Sequence, residues 1–243
     1  MRPLLLITIF VASFNVVAKD RYFKLDYDAW TIMYNCSKRG YEWFHYKTVP
    51  DQGSLERDNT FNYEGRLPSE CRQFSTSSYR LSKGASILYH RGHGVHQNIW
   101  DHDPNLMAQS NSMANIVPQA ANLNSRGVWR YTEKLTECWR DEGTVEVWGG
   151  VIWGTNGNDD HFVESHGVVT PDYLWKVVHF PDGRVNAWLM PNDYSPKAEE
   201  ADRYLVSPAR LTGLTGVSFQ IPDHLRIRAA ETSVDMPAEC SLK

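Results

Sequence analysis

Two stretches of this chain carry the residue types on which hydrolytic chemistry is built. The first is Tyr89-His90-Arg91-Gly92-His93-Gly94. The second is Asn115-Ile116-Val117-Pro118-Gln119, followed by Asn122-Leu123-Asn124. A histidine takes a proton from water near neutral pH. A glycine beside it lets the backbone turn sharply, and an arginine grips a phosphate through two parallel hydrogen bonds. His93 is therefore a candidate general base and Arg91 a candidate phosphate contact. The carboxamide oxygens of Asn115, Asn122 and Asn124 are hard, neutral ligands. Mg²⁺ accepts such oxygens while keeping several waters and taking up substrate phosphate. Turn and loop hydrogen bonds are the competing role for the same asparagines. Downstream, Glu133 is placed to hold a metal-bound water. The competing role for Arg130, Glu133, Lys134 and Glu137 is a solvated helix face with i,i+4 pairs.

These residues need elements to hold them. Arg126 to Arg140 has helical periodicity, with Val128, Tyr131, Leu135 and Cys138 on one face and Arg126, Arg130, Glu133, Glu137 and Arg140 opposite. Gly143 is a plausible stop. Ser86 to Tyr89 reads as a short strand delivering His90 to His93, and residues 94 to 124 read mostly as loop. Elsewhere, Trp30–Tyr34 and Glu42–Tyr46 form an expected antiparallel pair, and residues 48 to 80 are polar and irregular. Thr144–Gly154 reads as a central strand, and Pro181-Asp182-Gly183 as the turn of a hairpin. Short helices are expected over Ala198–Leu205 and from Ser207-Pro208 to before Gly213. Strands joined mostly by hairpins, with few helices, point to an α+β fold on an antiparallel sheet.

The chain has 243 residues and a net charge of −4. That is not the strong overall basicity of a protein that stays on DNA, although an enzyme that releases its product needs only a local positive patch. Residues 1–18 have the pattern of a signal peptide, with Arg2, an apolar run from Leu4 to Val17 and cleavage near Ala18. The run is too short to span a bilayer. The expected mature chain, 19–243, is one domain, secreted or periplasmic. An exported chain with four cysteines, Cys36, Cys71, Cys138 and Cys240, suggests two disulfides. Of three connectivities, Cys36–Cys71 closes a local loop and Cys138–Cys240 ties down the C-terminal tail, and this pairing is the expected one.

Taken together, Arg91-Gly92-His93, Asn115–Gln119 and Leu123-Asn124 with Trp129 and Glu133 resemble the DNA/RNA non-specific endonucleases of the ββα-metal superfamily, which includes mitochondrial endonuclease G. Further segments are similar, among them Cys71-Arg72-Gln73, Glu137–Asp141, Trp148–Val151, Ser165-His166-Gly167 and Trp175-Lys176. The likeness runs from about Tyr27 to about Pro222. It implies an antiparallel sheet flanked by helices, with a ββα-metal finger over about Ile87 to Arg140. The implied activity is Mg²⁺-dependent hydrolysis of DNA and RNA phosphodiesters without sequence preference, Mn²⁺ being a second candidate ion. Contacts would be to the phosphate backbone, without stable membrane association; an inhibitor protein or a homodimer is left open. By the same resemblance His93 is the general base, Asn124 the direct metal ligand and Glu133 the group that orients the metal's waters. Arg91 lies near the phosphate, and Asn115 positions the loop and His93.

The chain departs from the family pattern at specific points. The motif usually opens with Asp, and here position 90 is His. The residue four after the helix glutamate is often Arg in the better-studied members, and here it is Glu137. Arg130 and Arg140 are the candidate substitutes in substrate binding, and Arg57 is the candidate for an upstream arginine that stabilises the transition state. One extra residue stands between Asn124 and Trp129. Two other readings remain: a catalytically weakened fold that only binds nucleic acid, and a zinc hydrolase using His90, His93, His96 and His102, since imidazole suits Zn²⁺.

Overall fold

The computed structural model describes residues 21–81 and 85–240; the expected signal peptide lies outside them. Six strands form one antiparallel sheet: β1 (Tyr22–Asp26), β2 (Trp30–Asn35), β3 (Gly40–Lys47), β6 (Glu146–Ile152), β7 (Tyr173–His179) and β8 (Val185–Pro191), in that spatial order. Between β3 and β6 the chain leaves the sheet and builds the finger. That excursion contains β4 (Tyr89–His93), α1 (Pro104–Ser110), β5 (Ile116–Ala120), α2 (Ala121–Ser125) and α3 (Val128–Trp139). Strands β4 and β5 pair antiparallel, with His90 opposite Gln119 and Gly92 opposite Val117. Two short helices follow, α4 (Val163–His166) and α5 (Pro208–Thr215).

The sheet centre is buried on both faces, so alternation sorts apolar residues between two cores rather than between core and water. In β7, Leu174 and Val178 belong to the core shared with the finger, and Trp175 and Val177 to the core beneath Leu211, Phe219 and Ile221. Phe44 of β3 ties the sheet to the finger. Its ring packs edge-on to Trp129 of α3 at 6.4 Å and lies over Gly149 of β6, where a side chain would collide with it.

The Pro181–Gly183 hairpin joins β7 to β8 as expected, with Gly183 at φ 86°. The Ser207 side chain caps α5 by accepting from the Arg210 amide. Three boundaries differ from the sequence reading. Gly213 lies inside α5, which ends at Gly216 with φ 72°. The motif Tyr89–His93 is itself the strand rather than the product of one. Residues 94–124 are largely ordered, since α1, β5 and α2 fall there. Asp103 opens α1 by accepting from the Asn105 and Leu106 amides, with Pro104 in the first turn. All five residues of β5 are buried, so no polar alternation marks it.

Both disulfides have the expected pairing, Cys36–Cys71 and Cys138–Cys240. The second fixes the C-terminal segment to the last turn of α3. No helix among the described residues is long and apolar enough to cross a membrane.

Candidate active site

The finger and the 55–61 segment enclose a cavity of about 540 Å³, whose walls include Arg57, His90, Arg91, Asn124, Arg130 and Glu133. Six of the residues singled out from sequence are thus gathered in one place.

His93 sits one layer behind that wall, only 5 % exposed. Its ring is 5.5 Å from that of Phe61, which does line the cavity. His93 Nε2 lies 3.0 Å from Asn111 Oδ1, and the tautomer follows from the next bond along. Asn111 Nδ2 donates to the Asp58 carbonyl at 3.0 Å, so Oδ1 faces His93 and must accept. Nε2 therefore carries the proton, and Nδ1 keeps the lone pair a general base needs. Burial pushes the imidazole pKa down to about 3, against the opposing pull of the Asn111 hydrogen bond; Arg57, His96 and Arg91 add to the depression. At neutral pH the ring is uncharged.

Asn115 holds this geometry from below. It is fully buried; its Oδ1 accepts from the Val95 amide, and its Nδ2 donates to the Val95 and Ser110 carbonyls, each at 2.8 Å. It clamps the turn after His93 and touches no open space. Gly92 is required because Gln119 packs where its side chain would be. Arg91 lies over the Phe61 ring at 3.6 Å and donates to the Thr76 carbonyl at 2.8 Å.

On the opposite wall, Asn124 Nδ2 is 3.2 Å from His90 Nδ1, while its Oδ1 receives no hydrogen bond among the described residues. Glu133 is buried, with Oε2 3.2 Å from Arg130 Nη1. Arg130 also donates to Glu137 at 2.8 Å, and Glu137 stands 3.4 Å from His96 Nε2. Burial alone would raise the Glu137 carboxyl, but His96 and Arg130 bring it down to about 2. Beneath them, fully buried Lys176 of β7 places Nζ 3.7 Å from the Trp129 ring centroid. Burial pushes this ammonium down to about 8, with Glu133 pulling the other way. Arg130, Glu133 and Glu137 therefore belong to an interior ion network beside the cavity, not to the solvated face that their pattern allowed.

Two candidates fall differently from expectation. Arg130 lines the cavity, but its guanidinium is engaged by Glu133 and Glu137. Arg140 is absent from the cavity. It is 2 % exposed, bonded to the Ile99 carbonyl at 3.0 Å and to Asp51 at 2.7 Å, and it faces a second, acidic cavity. Seven residues beyond Glu133 is about two helical turns, roughly 10 Å along the axis. The histidines do not converge as a zinc centre would require. His90 and His93 are three apart on a strand and so point to opposite sides; the first meets Asn124 and the second Asn111. His96 turns to Tyr46 and Glu137. Sequence reasoning missed Asn111 and Phe61, which carry no signal beyond the general density of asparagine and aromatic residues.

The model of the DNA/RNA non-specific endonuclease family matches residues 10–222. The chain belongs to that family. The nuclease shares its fold with the crystal structure of the EndoG/EndoGI complex, at a TM-score of 0.64 and 18 % identity, over 83 % of this chain and 88 % of that one. Comparison with curated proteins returns no match. The protein is accordingly a hydrolase of nucleic-acid phosphodiester bonds, from a family that depends on a divalent metal. The residues present fit such an ion. The Asn124 amide oxygen has no protein donor among the described residues, and Glu133 adds a carboxylate on the same cavity; both are the hard oxygen groups that Mg²⁺ and Mn²⁺ accept.

Proposed function

We propose that the chain is an exported endonuclease that cuts DNA and RNA without sequence preference, using His93 as general base and a divalent ion, Mg²⁺ or Mn²⁺, at Asn124. The observation that carries this reading is the fixed His93 tautomer behind a cavity that also presents Asn124, Glu133 and three arginines. Export is supported by the two disulfides and the signal-like N-terminus.

The chain's own groups divide the work as follows. Arg57 and Arg91 offer positive charge to the phosphate, and backbone contacts of this kind carry no base information. Nδ1 of His93 takes the proton of the attacking water. Asn111 Oδ1, already accepting from Nε2–H, then stabilises the imidazolium. A pKa near 3 makes the free ring a weak base, but a bound phosphodiester offsets Arg57 and Arg91 and raises its proton affinity. His93 is buried and does not line the cavity, so water must pass the cavity wall to reach it. Positioned base catalysis is worth about 10²–10⁴ in rate. Glu133, steadied by Arg130, would orient the waters of an ion held at Asn124. When bound, the ion supplies Lewis-acid stabilisation of charge at the phosphate and leaving oxygen.

The burial of His93 and the missing acid at position 90 favour one second reading, a fold that binds nucleic acid without cutting it. Incubation of plasmid DNA and total RNA with the wild type and Mg²⁺, beside His93→Ala, decides between them. Degradation by the wild type and not by the variant is expected; intact substrate with wild type overturns the nuclease mechanism proposed here.

A further inference from the structure

His90 occupies the most open position of β4, and its side chain meets Asn124 across the cavity wall. The two nitrogens, His90 Nδ1 and Asn124 Nδ2, are 3.2 Å apart. A carboxamide keeps its shape when turned by half a turn about its last bond, which exchanges Nδ2 for Oδ1. In that orientation the amide oxygen and the imidazole lone pair face each other at the same separation. Divalent first-row ions bind such donors at about 2.0–2.2 Å. Neighbouring ligands on one ion, at angles between octahedral and tetrahedral, then stand about 2.8–3.6 Å apart. The observed spacing lies inside this interval. Among the described residues no other hydrogen bond holds either side chain, and each opens on the cavity that contains Glu133.

We propose that His90 is a second protein ligand beside Asn124, which makes this a mixed nitrogen–oxygen centre that takes a first-row transition ion in preference to Mg²⁺. The inference rests on the reading of Asn124 as the metal ligand. The chemistry behind the preference is general. Mg²⁺ demands oxygen and dehydrates reluctantly, whereas imidazole favours borderline ions, and affinity rises along the series from Mn²⁺. An imidazole at position 90 adds binding energy for a transition ion and little for Mg²⁺. Glu133, turned toward Arg130, takes its place among the surrounding waters rather than as a third ligand.

The test is pulsed EPR on the intact chain stripped of metal and loaded with Mn²⁺, with titration of Mn²⁺ and of Mg²⁺ in parallel. Electron-spin-echo modulation from ¹⁴N is expected in the wild type, changing to the ¹⁵N pattern when histidine is ¹⁵N-labelled. His90→Ala is expected to abolish it and to lower Mn²⁺ affinity roughly tenfold or more, while Mg²⁺ affinity moves less than about threefold. Asn124→Ala is expected to weaken both ions. Mn²⁺ bound without histidine nitrogen coupling overturns the proposal with no variant needed, as does equal loss of both ions in His90→Ala. If Asn124→Ala leaves both affinities unchanged, the reading of Asn124 itself falls. If wild type loses Mn²⁺ affinity only on Asn124→Ala, that reading stands and the role of His90 alone falls.

Discussion

His93 and Asn111 form a hydrogen bond of 3.0 Å whose direction is set from outside the pair, by the Asp58 carbonyl that claims the Asn111 amide protons. The protonation pattern of the proposed general base is thus decided two residues away from the chemistry. Asn111→Asp should place an anion against Nε2 and raise the His93 pKa. An opposite charge at this range shifts a pKa by about 1–3 units, so the acid limb of the kcat/KM–pH profile should move upward by at least about one unit. A limb that stays in place would show that His93 does not govern it.

The same burial has a consequence for stability. Folded His93 titrates near 3 and an unfolded histidine near 6.5. Between those values the unfolded chain binds more protons, so the stability tied to the neutral ring is complete above 6.5 and is lost as pH falls toward 3. The slope is about 1.4 kcal/mol per pH unit within that window. Relative to wild type, His93→Leu should gain acid resistance, measured as a smaller drop in urea midpoint between pH 6.5 and pH 4. Equal drops in both proteins would contradict the depressed pKa.

Arg130 and Arg57 should separate in kinetics. Arg130 is held by Glu133 and Glu137, so Arg130→Ala should release Glu133 and lower kcat roughly 10–100-fold with KM little changed. Arg57 is exposed on the cavity rim. Arg57→Ala should raise KM and flatten the dependence of log KM on log salt by about one phosphate contact. A reversal of these patterns would mean that Arg130 is the substrate contact.

Arg140→Ala should act on folding alone. The side chain pairs with Asp51 and Asp101 at the end of α3. Removing one partner of a buried pair costs about 3–5 kcal/mol; because Asp51 is partly open to water, a loss near the lower end, about 3 kcal/mol, is expected in chemical denaturation. Specific activity per folded molecule should remain within about twofold, since Arg140 sits about two helical turns from Glu133. A large fall in kcat at full folding would restore it to the site.

The sequence made the scaffold more legible than the site. Elements with a local cause could be read: the Pro181–Gly183 turn, the Ser207 cap, the strands around Ser37–Gly40. Strand β5 could not, because burial of every residue erases alternation and Pro118 argues against a strand. Pro118 is tolerated because this sheet has only two strands. On α3 the apolar stripe was correct, but Glu133 and Glu137 read as surface residues, since spacing does not report that Arg130, His96 and Lys176 converge on them. The family resemblance pointed to His93 and Asn124. It gave no sign of Asn111, whose role depends on a carbonyl at residue 58, or of the way His90 and Arg140 turn.

The finger is an insertion between two adjacent strands, and this bears on how the chain reaches its fold. The pairing of β3 with β6 brings Lys47 against Glu146, so the central sheet cannot close until residues 48–145 have been looped out. Closing so long a loop is entropically slow. The finger has its own strand pair and helices and can condense locally before the ends meet, which shortens the effective loop. Nuclease activity should therefore appear late in refolding, after the finger's own secondary structure and together with burial of Phe44 against Gly149.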